Sequence, residues 1–463
     1  MVEINTSIIE EAVYKLCFDA NVSLDNNVYS KILSAYHSAK TSQQKGLYEA
    51  ILQNAKIANE NKRPLCQDTG QVIVFMQVGQ DVHFVGKNLN DAINDAVEKC
   101  YVDNFFRKSV VKNALFDRSN TTTNTPVIIY PEFIEGEKVN IDVLIKGGGA
   151  ENKSAVKMLL PTSTREDVCA FIKDVVLSAG VNACPPLFVG VGVGGTMEQA
   201  ALISKKALLG RNEEMVDVDF SNQVKDSINK SAPAEFEDTF VLDLKVLSTS
   251  THIASLPVAV TINCHSSREA SCSISEGKIE YLSNIYDFGD FDFVSAATKK
   301  EVFTSDFNGV RNLKTGEEVL LSGEIYVARD AAHQRIFELM EKGENLPFDL
   351  TNSIILYAGP CPASENEVIG PIGPTTSSRM DKFAPALYER GLLATIGKGE
   401  RSNEVKDSII KNSAIYFTLI GGIASLLSSK VKEAKLVDFE DLGAEAIYKL
   451  KVDKLPAKVS IGR

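Results

Sequence analysis

The sequence predicts a mixed α/β chain, α+β in places, built from a larger N-terminal part and a smaller C-terminal part. Three observations carry this. The chain has 463 residues, and single cores stop growing at roughly 250–300 residues. Apolar residues recur at three- and four-residue steps in some stretches and form short β-rich blocks in others, so helices and strands alternate. The stretch YDFGDFDFVSAATKK, residues 286–300, follows neither period and reads as a linker. The expected domains are therefore 1–285 and 301–463.

IIEEAVYKLCFDA and VYSKILSAYHSAK give residues 1–60 a helical reading. It closes at Asn61-Lys62-Arg63-Pro64, where proline lacks the N–H a helix needs. QVIVFMQV reads as a buried strand, Leu89 to about Arg107 as a helix, and VIIYPEF and VNIDVLIK as a strand pair across Glu135-Gly136-Glu137. After Gly147-Gly148-Gly149, helices are expected from about Lys153 and from about Ser163, the second with Glu166 in a capping box. PLFVGVGVGG reads as strand into loop, TMEQAALISKKALL as helix, and 239–285 as β structure. In the C-terminal part, EVLLSGEIYVA, NSIILYAGP and LLATIGKG read as strands. HQRIFELMEKG, APALYERG and SNEVKDSIIKNS read as helices.

Composition narrows the function classes. Hydrophobic residues make up 44% and charged residues 24%, as in soluble globular proteins. No apolar run reaches membrane-spanning length, and the acidic N-terminus does not read as a secretory signal. Lys and Arg number 49 against 61 Asp and Glu, a formal charge of −12. Nucleic acid and anionic membranes are therefore poor partners, whereas a small anion can still meet a local cationic cluster. Eight cysteines are sparse for this length and point to a reducing, cytoplasmic setting. No C-x-x-C pair occurs, so a metal or cluster site must gather ligands from distant loops.

Gly190, Gly192 and Gly195 satisfy G-x-G-x-x-G after an apolar run and before a helix, with Glu213 and Glu214 further on. This is the setting of a dinucleotide fingerprint, and it suggests a nucleotide-dependent oxidoreductase as a distant alternative. Against it, no βαβ repeat surrounds the loop, and a tight strand-to-helix turn uses the same glycines.

Cys66, Cys184 and Cys264 sit in polar or Pro/Gly-bearing loops: RPLCQDTG, NACPP and NCHSSR. Cys17, Cys100 and Cys169 lie in helical patterns and read as small buried hydrophobes. Cys272 and Cys361 are intermediate, and Cys361 in Gly359-Pro360-Cys361-Pro362 is a further candidate ligand.

RPLCQDTG, KGGGAENKSAVKMLLP, ACPPLFVGVGVGGTMEQAALISKKALL and HIASLPVAVTINCHSSR resemble the α part of class I fumarases and L(+)-tartrate dehydratases. GEIYVARDAAHQRI, YAGPCPASENEVIGPIGPTTSSRMDKF and IGKGERS resemble the β part. The matches run in family order from residue 63 to 402, so the chain looks like an α–β fusion with a swivelling β/β/α-type C-terminal domain.

The resemblance implies an iron–sulfur hydro-lyase that reversibly hydrates fumarate to (S)-malate, with L(+)-tartrate dehydration or mesaconate hydration as alternatives. It implies a [4Fe-4S] cluster held by Cys66, Cys184 and Cys264, with one iron open as a Lewis acid. Thr375 would take the C3 proton, assisted by Asp68. Gln67, Arg107, Gly148, Gly149, His252, Arg329, Arg379 and Lys398 would bind substrate, the arginines as planar forks for carboxylates. Cluster ligands are expected from the first domain and Thr375, Arg329, Arg379 and Lys398 from the second, with the site at their interface. A cluster protein without catalysis is the remaining alternative. A homodimer is expected from the resemblance alone.

Overall fold

The computed structural model describes residues 2–209, 216–282 and 299–463. Two compact units divide them. One runs to Arg63 and resumes at Asp68; the other takes Pro64–Gln67 together with the chain from 299 to Arg463. The linker expected over 286–300 lies outside the described residues but for its last two positions, as do Glu213 and Glu214.

The first unit opens with β1 (Val2–Asn5), α1 (Thr6–Val22), α2 (Asn26–Ser38) and α3 (Ser42–Glu60). Asn5, Asp25 and Thr41 cap these helices with side-chain oxygens that accept the first orphan N–H groups. Next come β2 (Gln71–Gly79), β3 (Val82–Val85), α4 (Leu89–Asp103), β4 (Ile128–Ile134), β5 (Val139–Lys146) and the single turn α5 (Gly148–Glu151). The unit continues with β6 (Ala155–Leu159), α6 (Arg165–Ala179), β7 (Leu187–Gly195), α7 (Met197–Lys206), α8 (Val218–Asn229), β8 (Val241–Thr251), β9 (Leu256–Asn263), β10 (Arg268–Ser275) and β11 (Lys278–Tyr281).

Among the described residues these strands form a β1–β3 pair, a five-stranded sheet in the order β11-β10-β5-β2-β4, and a four-stranded sheet in the order β6-β9-β7-β8. Helix α1 packs Ile9, Val13 and Leu16 against Val74, Val143 and Cys272 of the larger sheet. Helices α6 and α8 cover one face of the smaller sheet, where Ile172 and Val224 meet Val189, Val191 and Ile262.

In the second unit are β12 (Lys300–Phe303), α9 (Phe307–Arg311), β13 (Glu318–Val327), α10 (Asp330–Lys342), β14 (Ile354–Leu356), α11 (Ala384–Glu389) and β15 (Ala394–Gly397). There follow α12 (Asn403–Lys411), β16 (Ile415–Thr418), α13 (Ala424–Ser429), β17 (Val431–Asp438) and β18 (Ile447–Ile461). The sheet order is β12-β13-β14-β15-β16-β18-β17, and β18 also pairs with β13, which closes the sheet on itself. Ile336, Tyr357, Leu387, Tyr388, Ile409 and Tyr416 belong to its core.

Several local expectations change. Strands β4 and β5 are not partners: β2 lies between them, parallel to β4 and antiparallel to β5. The helix expected from Lys153 is instead β6, paired with β9; five residues that meet a sheet edge gain a ladder, which outweighs their propensity. The capping box moves by one residue, to Thr164 and Asp167.

Candidate active site

In the first unit the implied site residues gather where strand ends meet. Asp68 immediately precedes the turn into β2, and Gly148 follows β5, whose Lys146 stands opposite Gln71 of β2. The Asp68 Oδ2 accepts the Gly148 amide at 2.8 Å, and Oδ1 accepts that of Gly70 at 3.2 Å. Arg107 Nη2 lies 3.8 Å from Oδ1. Arg268 Nη1 donates to the Asp68 carbonyl at 2.6 Å. Burial pushes the Asp68 carboxyl up, but the Arg107 and Arg268 charges and the two amides more than offset this, and it lies below the usual carboxylate range. Gly149, next in α5, is exposed.

The Cys184 and Cys264 loops are neighbours. Cys184 precedes β7 in a left-handed conformation (φ 59°), Cys264 follows β9, and those strands pair with Phe188 opposite Asn263. The His265 amide donates to the Cys184 carbonyl at 3.3 Å. Beneath them the buried Lys146 ammonium donates to the Ile262 carbonyl and pairs with Glu151 at 3.4 Å. Glu151 also takes Lys205 at 2.5 Å. Burial lowers the Lys146 pKa to about 8, against the pull of Glu151.

His252 stands apart from this cluster. It follows Thr251, which pairs with Gly195 at the far end of β7, whereas Cys184 and Cys264 flank the Leu187 end. Eight strand steps separate the two ends, roughly 26 Å.

The second unit holds Cys66, contrary to the expectation that all three cysteines belong to the first. The tetrapeptide Pro64–Gln67 is tied in by the Ser425 hydroxyl on the Pro64 carbonyl (2.8 Å) and the Ala424 amide on that of Leu65 (3.2 Å). The Cys361 thiol donates to the Gln67 carbonyl at 3.6 Å, so Cys361 adjoins the Cys66 loop. Gln67 Nε2 reaches the Pro374 carbonyl at 3.5 Å, and its amide lies over Gly373, where a Cβ would sit 2.2 Å from Oε1.

Thr375 lies on a segment laid between strand ends: its amide donates to the Tyr357 carbonyl, and its carbonyl accepts the Lys398 amide. Arg379 Nη1 donates to the Thr375 Oγ1 at 3.1 Å. The same guanidinium grips Asp330 through Nε at 2.8 Å and Nη2 at 2.6 Å. Arg329 Nε also reaches Asp330, at 3.1 Å, and Arg329 Nη2 pairs with Glu445 at 3.2 Å. Burial raises the Asp330 carboxyl, but Arg329 and Arg379 overcome this and hold it below the usual range. Thr375, Arg379, Arg329 and Gln67 thus share one unit, with Lys398 alongside.

Arg268, Lys146, Glu151, Asp330 and Glu445 join these residues without having stood out in the sequence. The first four lie inside the quoted motifs, next to residues that were singled out, and that adjacency was the available signal. Glu445 lies outside every motif; only the fold brings it to Arg329.

None of the eight cysteines is in a disulfide. Among the described residues no three Cys, His, Asp or Glu side chains converge as a metal cage. The fit to a cluster therefore rests on donor chemistry: three loop thiols, two on adjoining loops, and Cys361 as a further thiol beside the Cys66 loop.

Gly190 and Gly192 lie inside β7, not in a phosphate-facing loop. Their alternate neighbours Val189 and Val191 face α6 and α8, while the glycines face α7. A Cβ at either would sit 2.1 Å from a helix carbonyl, of Ser204 or Ala200. The space a pyrophosphate needs is filled by protein.

Comparison with known proteins places a chain of these two parts among the hydro-lyases. The fumarate hydratase (fumerase) family profile matches residues 10–273, and the fumarase C-terminus profile matches 295–463. The chain belongs to the fumarate hydratase family, class I, with both parts fused. It is 28% identical to the aerobic class I fumarate hydratase of Salmonella typhimurium, over 89% of this chain and 76% of that protein. It is 29% identical to the mitochondrial fumarate hydratase 1 of Leishmania major, over 89% of this chain and 80% of the other. A putative L(+)-tartrate dehydratase subunit alpha of Methanocaldococcus jannaschii is 33% identical over 57% of this chain and 96% of its own length.

Proposed function

We propose that this enzyme reversibly hydrates fumarate to (S)-malate in the cytoplasm, with a [4Fe-4S] cluster on Cys66, Cys184 and Cys264. The observation that carries the reaction is the presence of both fumarate hydratase parts, in order, on one chain. When bound, a cluster with one iron free of protein ligands supplies a Lewis acid to a hydroxyl or carboxylate oxygen.

The protein's own groups handle the rest. Thr375 is a weak base by itself, but a cationic donor on its oxygen favours the deprotonated form. Arg379 is that donor, so Thr375 is the group that exchanges the C3 proton. Asp68 remains ionised at neutral pH and is an acceptor for proton handling. Arg107, Arg329, Arg379 and Lys398 offer donors to the two carboxylates, and Gln67 and Gly149 offer amides, while the Gly148 amide is held by Asp68 and lines the same place. His252 stands too far from its own Cys184 and Cys264 to meet a substrate there. In this reading it serves only if a second copy supplies it, as the proposed homodimer would allow.

The test is anaerobic reconstitution with iron and sulfide, followed by ultraviolet assays on fumarate, malate, tartrate and mesaconate. Fumarate is expected to turn over fastest, with activity lost in air and recovered by ferrous iron and thiol. Serine at position 66, 184 or 264 should cut activity at least about 100-fold, the upper end of what losing even an outer-shell partner costs. Thr375→Ala should lower kcat by ~10²–10⁴, the usual size of a general-base contribution. Full activity and iron content in Cys66→Ser would defeat the cluster assignment, and a strong preference for tartrate would change the substrate.

A further inference from the structure

Asp330 is the first residue of α10, directly after Arg329. Its two carboxylate oxygens receive three N–H groups from two arginines. Arg379 lays its Nε and Nη2 edge on both oxygens at 2.8 and 2.6 Å, and Arg329 adds Nε at 3.1 Å. Glu445 repeats the device on one side. Its Oε1 pairs with Arg329 Nη2 at 3.2 Å, while its Oε2 accepts the Ala331 amide at 2.7 Å and so is fixed to the start of the same helix. From Arg379 the chain of contacts continues through Nη1 to Thr375 Oγ1 at 3.1 Å.

Two features separate this from a surface ion pair. Arg379 stands on the short turn Ser377–Met380 with its side chain 47% exposed, and nothing about such a site fixes a long side chain by itself. A bidentate carboxylate fixes it, because the planar fork has only one matching orientation. The formal charges of Asp330, Glu445, Arg329 and Arg379 also sum to zero. What the set offers a dicarboxylate is therefore directed N–H groups rather than a net cationic field.

We propose that Asp330 is a positioning residue: it selects which edge of the Arg379 and Arg329 forks remains for the substrate carboxylates, and through Arg379 it sets the donor on the Thr375 hydroxyl. This rests on the assignment of Arg329, Arg379 and Thr375 to the substrate site. Glu445 serves Arg329 alone. The two acidic residues therefore divide by function: Asp330 touches binding and proton transfer, Glu445 binding only.

The reconstituted enzyme tests this with Asp330→Asn, Asp330→Glu and Glu445→Gln. Asp330→Asn adds one positive charge to the site. If charge alone mattered, KM for fumarate would fall. Positioning requires the opposite: KM rises ~10-fold and kcat falls ~10–100-fold, the cost of a misplaced reacting group. Glu445→Gln is expected to raise KM by ~3–10-fold with kcat near wild type, because Arg379 and Thr375 keep their partners. Asp330→Glu, which keeps the charge and moves it by one methylene, should show a smaller fall in kcat and a smaller rise in KM; it carries the test if the asparagine variant does not fold. Iron content and melting temperature are measured on each variant, and ¹⁵N-arginine spectra read the Arg379 Nε–H without any turnover, protected in wild type and exchanging faster in Asp330→Asn. Unchanged or lower KM with unchanged kcat in Asp330→Asn, or an unaltered Arg379 signal, overturns the proposal. Wild-type enzyme that turns over no C4 dicarboxylate overturns the parent reading instead, and the arginine spectra still decide the positioning claim.

Discussion

His333 is buried to 1% exposure on α10. Its Nδ1 meets the Arg329 carbonyl at 3.1 Å, its ring meets Tyr357 edge-on, and its Nε2 has no hydrogen-bond partner among the described residues. Burial lowers its pKa from 6.5 to about 4. The sign follows from proton counting: between pH 6.5 and 4 the unfolded chain binds a proton that the native ring refuses, so stability falls as the solution is acidified. The loss is expected to reach about 3 kcal/mol by pH 4. Thermal melts across this range should flatten in His333→Gln. Asp68 and Asp330, both held low, act in the same direction further down the scale, because their native carboxylates lose their arginine and amide partners when protonated. In sequence His333 was one polar position in HQRIFELMEKG, and nothing in the pattern told a buried ring from an exposed one. Thr375 and Arg379 stood out together in one motif; that Asp330, from another part of the chain, clamps that arginine depends on how separate segments fold together.

At the scale of elements, the glycines of β7 decide a question of function. In the sequence they satisfy a nucleotide fingerprint; in the sheet they are the places where α7 touches the strand. Gly192→Ala would set a methyl 2.1 Å from the Ala200 carbonyl and 2.6 Å from Ile203. Backbone cannot yield as a side chain end can, so the variant is expected to lose at least about 2–3 kcal/mol, the upper part of the overpacking range. Urea denaturation checks this; an unchanged midpoint would show that α7 can move away. Helices α1, α2, α4 and α7 were readable because their apolar spacing is local. The place of β2 between β4 and β5 was not, because strand order depends on which apolar faces the rest of the chain buries, and neighbours in sequence need not be neighbours in a sheet.

Across the whole molecule, the most consequential crossing is the tetrapeptide Pro64–Gln67. It comes from the N-terminal half of the chain yet packs in the second unit, under Ser425 and beside Cys361. Ser425→Ala leaves the Pro64 carbonyl without that donor. It should cost about 1–3 kcal/mol, the usual penalty for stranding a buried polar group. Hydrogen exchange at the Leu65–Gln67 amides should quicken before that of β2; equal protection in mutant and wild type would argue that the segment is held by other contacts. The sequence by itself determined the mixed α/β class, the family, the reaction type and the loops that carry cysteines, threonine and arginines, because each is written in local periodicity or in contiguous motifs. Only the tertiary structure decided which unit owns Cys66, that His252 lies at the wrong end of its sheet for its own cysteines, and that Asp330 grips two arginines. Those facts depend on strand order and loop packing, which are set by contacts between residues far apart in the chain.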